Sequence, residues 1–68
     1  MEVSARNQLN GTVTAVKSGA VMAEVTVEVG PGTVTAAITD TSRDRLSLKE
    51  GDTVAVIIKA TEVMIATP

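Results

Sequence analysis

The chain contains no cysteine, no histidine and no aromatic residue. Without cysteine there can be no disulfide, and without cysteine or histidine the usual zinc sets cannot assemble. The commonest general base and the most reactive nucleophile are missing too, and no Gly-x-Ser-x-Gly elbow surrounds any serine. The glycines form neither a Walker A loop nor a dinucleotide fingerprint. These absences argue against an enzyme and against a resident cofactor. Lack of Phe, Tyr and Trp removes the platforms on which single-stranded nucleic acid stacks. A net charge of −2 supplies no basic footprint for a phosphate backbone either. No stretch approaches the roughly 20 apolar residues of a membrane span. Residues 1–20 lack the basic start and apolar run of a signal peptide. The expectation is a cytoplasmic binding module with no nucleic-acid or membrane partner.

What remains is short and apolar. A chain of 68 residues is read as a single domain, 1–68. Domains of this size bury only about 60% of the surface they expose when unfolded. They usually need disulfides, a metal or oligomerisation to hold together. Yet 44% of the residues are hydrophobic and mean hydropathy is +0.27. One thin core of Val, Ala, Ile, Leu and Met cannot hide that much apolar surface, so a homo-oligomer with an extensive interface is expected.

Strand signals dominate. Residues 20–29 alternate cleanly, with Val21, Ala23, Val25, Val27 and Val29 on one face and Met22, Glu24, Thr26 and Glu28 on the other. Residues 9–17 place Leu9, Val13 and Ala15 at odd positions, with Gly11 at a bend. Lys17-Ser18-Gly19 and Gly30-Pro31-Gly32 read as turns. Residues 33–38 turn Val34, Ala36 and Ile38 one way. Residues 40–48 break the pattern: Asp40-Thr41-Ser42 offers N-cap candidates for a short exposed helix. The charged turn Lys49-Glu50-Gly51-Asp52 leads to two last strands, 53–59 and 62–66, the first placing Val54, Val56 and Ile58 on one face, with a corner at Ala60-Thr61. The pattern predicts an all-β fold, a small five-stranded Greek-key barrel of the oligonucleotide/oligosaccharide-binding (OB) type, with one short helix between strands 3 and 4. An SH3-like barrel would produce the same pattern.

Two segments carry chemistry. Ser4-Ala5-Arg6-Asn7-Gln8 is a cluster of donors before the first strand, and its Arg offers a planar fork of N–H groups. At Ile58-Lys59-Ala60-Thr61 a Lys closes an apolar strand at a corner, where successive backbone N–H groups can form an anion-binding concavity. The carboxylate neighbours Asp40/Asp44 and Glu50/Asp52 read as solvated surface charge, and no metal site is expected.

At these segments the sequence resembles the molbindins, or Mop-domain family. The resemblance rests on Ser-Ala-Arg-Asn-Gln-Leu at 4–9, Val-Met-Ala-Glu-Val at 21–25 and Lys-Ala-Thr-Glu-Val-Met-Ile at 59–65, and extends through Leu48-Lys49-Glu50-Gly51-Asp52. It implies an OB-type barrel that binds molybdate or tungstate for storage and homeostasis. It also implies a homohexamer, a trimer of dimers, with oxyanion sites at subunit interfaces. Carried over by motif, Ser4, the Ala5 N–H and Arg6 come from one subunit, and Lys59 and the Ala60 backbone from its neighbour. Asn7 and Thr61 flank them. A second position, bound by backbone alone, is implied around Gly19 and Ala20. The chain departs from the motif at Ala60, where the Lys-Ser-Thr version has a serine hydroxyl to donate. Similar domains also occur fused to transporter ATPases and transcription regulators, so the alternative is an anion-sensing regulatory module.

Overall fold

One long strand organises the chain in the computed structural model, which describes residues 4, 7–65 and 67. Strand β1 (Asn7–Lys17) is followed by β2 (Met22–Glu28), β3 (Thr33–Thr39), helix α1 (Asp40–Arg45) and β4 (Thr53–Ile58). A single 3-10 turn over Ala60–Glu62 comes last. The sheet order is β3-β2-β1-β4, and every pairing is antiparallel. β1 serves both sides of the sheet. Its first half pairs with β4 from Asn7↔Ile58 to Thr12↔Thr53, and its second half pairs with β2 from Thr12↔Glu28 to Lys17↔Glu24.

Two local features let one strand serve two partners. A bulge between Val13 and Ala15 leaves Thr14 as the extra residue, and its hydroxyl donates to the Thr26 carbonyl at 3.3 Å. A bulge bends its strand and increases the twist, which curls this sheet into a half-barrel. It also reverses the inward parity, so that Val13 is buried, Ala15 is exposed and Val16 is half-buried. The odd-position set Leu9, Val13 and Ala15 is therefore not one inward face: Leu9 and Ala15 are exposed, and Val16 turns inward beside Val13. Gly11 is the second feature: a Cβ there would lie 2.5 Å from the Glu28 carbonyl oxygen, so β1 can approach β2 this closely only without a side chain.

The core is small. Val13, Ala23, Val25 and Val27 are the buried apolar residues among those described. Half-buried Val16, Val29, Ile38, Leu48, Val54 and Val56 pack around the Val13–Val25–Val27 cluster. The alternations read in β2, β3 and β4 are thus the inward faces, except that Val21 precedes β2 and is exposed.

The N-cap of helix α1 lies one residue before the candidates. Thr39 is the N-cap, accepting a hydrogen bond at 3.1 Å from the Ser42 N–H. Its C-terminus closes by two bonds, Ser47 N–H to Asp44 O and Leu48 N–H to Arg43 O, with Ser47 at φ 52° in the left-handed position that usually takes glycine. This closure returns Leu48 to the core. The charged turn then docks on the bulged strand, as Val13 N–H donates to Asp52 O and Gly51 N–H to Val13 O, both at 2.8 Å.

The fifth strand is a correction: four strands form among the described residues. The expected strand 62–66 starts inside the 3-10 turn, and residues 63–65 have no regular structure. Val63-Met64-Ile65 is apolar at successive positions, and such a run needs cover on both faces. The sheet of its own chain provides none, and Met64 and Ile65 stand 91% and 88% exposed.

Candidate functional site

The two chemistry-bearing segments belong to one end of one ladder. β1 begins at Asn7, β4 ends at Ile58, and these two residues are register partners. The segment entering β1 and the segment leaving β4 are therefore joined to adjacent strand ends. Asn7 is half-buried at the edge of the ladder, and Ser4 is exposed at a bend. Ala5 and Arg6 lie outside the described residues.

On the other side of the ladder, Lys59 occupies the cap position of the 3-10 turn, at φ −64° and ψ 131°. Its carbonyl accepts from the Glu62 N–H at 2.9 Å, and the Ala60 carbonyl accepts from Val63 N–H at 3.3 Å. The N–H groups of Ala60 and Thr61 stand at the open start of this turn, and among the described residues neither donates to a backbone carbonyl. Lys59, Ala60 and Thr61 are all exposed. Among the described residues no carboxylate lies within ion-pair distance of the Lys59 ammonium. The corner therefore offers a cation and two backbone donors beside the strand that Arg6 precedes in the chain. That set of donors suits a ligand that accepts hydrogen bonds.

Gly19 and Ala20 lie elsewhere, in the exposed turn between β1 and β2. A Cβ at Gly19 would collide with the Met22 carbonyl oxygen. The turn is tied to the start of α1: Asp40 N–H donates to Val21 O at 2.7 Å, and the Ser18 hydroxyl donates to Asp40 Oδ1. Arg43 Nε donates to Asp40 Oδ1 at 2.8 Å and its Nη2 to Oδ2 at 3.3 Å. The same guanidinium reaches Asp44 at 3.9 Å, and Lys49 pairs with Asp52 at 3.3 Å. Asp40, Asp44 and Asp52 are thus engaged by neighbouring cations, and no cluster of three or more metal-ligating side chains occurs among the described residues.

The Ser18–Asp40–Arg43 group was not legible as a unit in the sequence. The only signal was the i,i+3 spacing of Asp40 and Arg43. The Arg43 hydrogen bond, then that of Ser18, holds the Asp40 carboxyl at about 2, below its ordinary 3.8. A folded-state value below the unfolded one contributes stability above about pH 4 that is lost as pH falls through about 2. The thermal midpoint of the wild type should exceed that of Asp40→Asn by a constant margin down to about pH 4. The margin should then close towards pH 2; parallel melting curves across that window would refute the clamp.

The chain matches the TOBE domain over residues 3–65. It is 50% identical over 66 residues to molybdenum-pterin-binding protein 3 of Clostridium pasteurianum, covering 96% of this chain and 97% of that protein. The solved structure of a molybdate-binding protein from Sporomusa ovata matches with a TM-score of 0.94 at 37% identity, over 98% of this chain and 100% of that one. The cytoplasmic molybdate-binding protein ModG, solved with molybdate bound, matches with a TM-score of 0.92 at 39% identity; all of this chain spans 49% of that one. The chain belongs to the TOBE-domain family as one of its molbindins.

Proposed function

We propose that the chain is a non-enzymatic oxyanion-binding protein that captures molybdate or tungstate reversibly, for storage and buffering in the cytoplasm. The observation that carries this reading is the Asn7↔Ile58 register, which joins the Ser4–Asn7 donor segment and the Lys59–Thr61 corner to one end of one ladder. Two of the matched solved structures are of molybdate-binding proteins, which supports molybdate as the ligand. Molybdate is a dianion at neutral pH that accepts hydrogen bonds and donates none. Arg6 and Lys59 match its charge, while Ser4, the Ala5 and Ala60 N–H groups and the flanking Asn7 and Thr61 add donors.

The working form is a homohexamer built as a trimer of dimers. Each chain carries both halves of the site at the same end. A two-fold contact across that end would set Arg6 of one protomer against Lys59 of its partner, and would do so twice. Each site is then shared and exists only in the assembly. The exposed Val63-Met64-Ile65 segment and the free edges of β3 and β4 supply the apolar surface and unpaired backbone for such contacts.

Native mass spectrometry with and without molybdate tests the reading, since it reports assembly size and bound anions together. Hexamers carrying molybdate are expected; a monomer that binds the anion, or an assembly that binds none, would overturn it. Ile65→Glu places a charge in the exposed apolar segment and should shift the protein towards smaller species in light scattering. Molybdate binding should fall in step with assembly.

A further inference from the structure

The chain has two asparagines: Asn7 precedes glutamine, whereas Asn10 precedes Gly11. An asparagine before glycine is open to an internal reaction, because no side chain shields the next backbone nitrogen. That nitrogen attacks the carboxamide carbon, ammonia leaves and a succinimide ring forms. Water then opens the ring, mainly to isoaspartate, whose main chain is one methylene longer. The glycine cannot be exchanged for a shielding residue, since a Cβ there would lie 2.5 Å from the Glu28 carbonyl oxygen. Asn10 is exposed, and its carboxamide makes no hydrogen bond among the described residues. Pairing with β4 holds this stretch extended, so the reaction waits on opening of the β1–β4 ladder. β4 is an edge strand whose one neighbour is β1, and it can leave without disturbing the pairing of β2 with β3.

The added methylene cannot be absorbed on both sides of residue 10. On one side Gly11 sits against β2, and Val13 is hydrogen-bonded to Asp52 and Gly51. On the other side only Asn7↔Ile58, Gln8↔Ile57 and Leu9↔Val56 remain, so these pairs lose register. They are the pairs that set the Ser4–Asn7 segment beside the Lys59 corner. Resting on the oxyanion-capture reading, we propose that Asn10 is a modification site whose spontaneous conversion to isoaspartate separates these two segments and ends capture. A bound oxyanion holds this end of the ladder closed, so empty chains age and loaded chains are spared.

The test incubates the protein in mildly alkaline buffer with and without molybdate and maps isoaspartate by fragmentation mass spectrometry. Isoaspartate should accumulate at residue 10 well ahead of residue 7, and saturating molybdate should slow it about tenfold or more. The isolated isoaspartate form should bind molybdate about tenfold or more weakly by equilibrium dialysis. Its amide NMR signals should move at residues 7–9 and 56–58 and stay in place in β2 and β3. Asn10→Gln should keep its binding through the same incubation. Fresh Asn10→Asp, which carries the new charge on a main chain of normal length, should bind as the wild type does. Isoaspartate no faster at residue 10 than at residue 7, or an isoaspartate form that binds normally, would overturn the proposal. So would weak binding by fresh Asn10→Asp, or an equal rate with and without molybdate in a protein that binds the anion. If the fresh wild type binds no molybdate, the proposed function falls, while the loss of register at residues 7–9 is still read by NMR.

Discussion

Replacement of Gly11 by valine should leave the protein unfolded at room temperature, and even Gly11→Ala should lower its melting midpoint by about 10 °C or more. The reason is geometric. A Cβ at this position would lie 2.5 Å from the Glu28 carbonyl oxygen, 2.6 Å from Val27 Cγ1 and 3.0 Å from Val29 Cγ1. The first is backbone in a paired strand and cannot rotate away, and Val27 belongs to the buried cluster. Forcing a methyl into such a site costs about 1–3 kcal/mol. A single core in a chain of this size supplies only about 3–5 kcal/mol, so Ala consumes a large share and Val the whole. Gly32→Ala is the matched control, because a Cβ there meets nothing within 4 Å. Thermal melts by circular dichroism should separate the two substitutions widely, and coincident midpoints would show that β1 can move off β2 at little cost.

The position of Gly11 also marks where the sequence stopped being informative. The inward faces of β2, β3 and β4 were legible because strict alternation leaves one choice of face. Residues 12–16, Thr-Val-Thr-Ala-Val, offer an apolar residue in either parity. The bulge at Thr14 that moves Val16 inward is decided by the pairing with β2, which no local pattern encodes. The fifth strand failed for a related reason. Val63-Met64-Ile65 has strand composition, but a strand needs a partner edge, and these residues find none among the described residues. The Ser18–Asp40 contact joins positions 22 apart in sequence, so Asp40 looked like a solvated charge until the turn was folded onto α1. The corner at Lys59 was legible from its residue types, whereas its adjacency to the entry into β1 required the Asn7↔Ile58 register.

That adjacency gives the second large effect. Lys59→Ala and Arg6→Ala should each weaken molybdate binding by roughly tenfold to a hundredfold, the usual worth of a hydrogen bond to a charged group. Their combination should reduce binding below calorimetric detection, because a dianion in a partly desolvated site would then have no counter-charge. Lys59→Ala should not disturb the fold, because Lys59 is exposed and, among the described residues, in no ion pair. Melting midpoints should stay close to wild type without ligand, and the stabilisation conferred by molybdate should disappear. Ala60→Ser provides the opposite sign. It returns the hydroxyl of the Lys-Ser-Thr version to the corner and should tighten binding by up to about tenfold through one added donor. If both single alanine variants keep wild-type affinity, the oxyanion is held elsewhere and the Lys59 corner is only a solvated strand end. If Lys59→Ala alone is silent, Arg6 and backbone N–H groups carry the charge, and the match of two cations to one dianion is wrong.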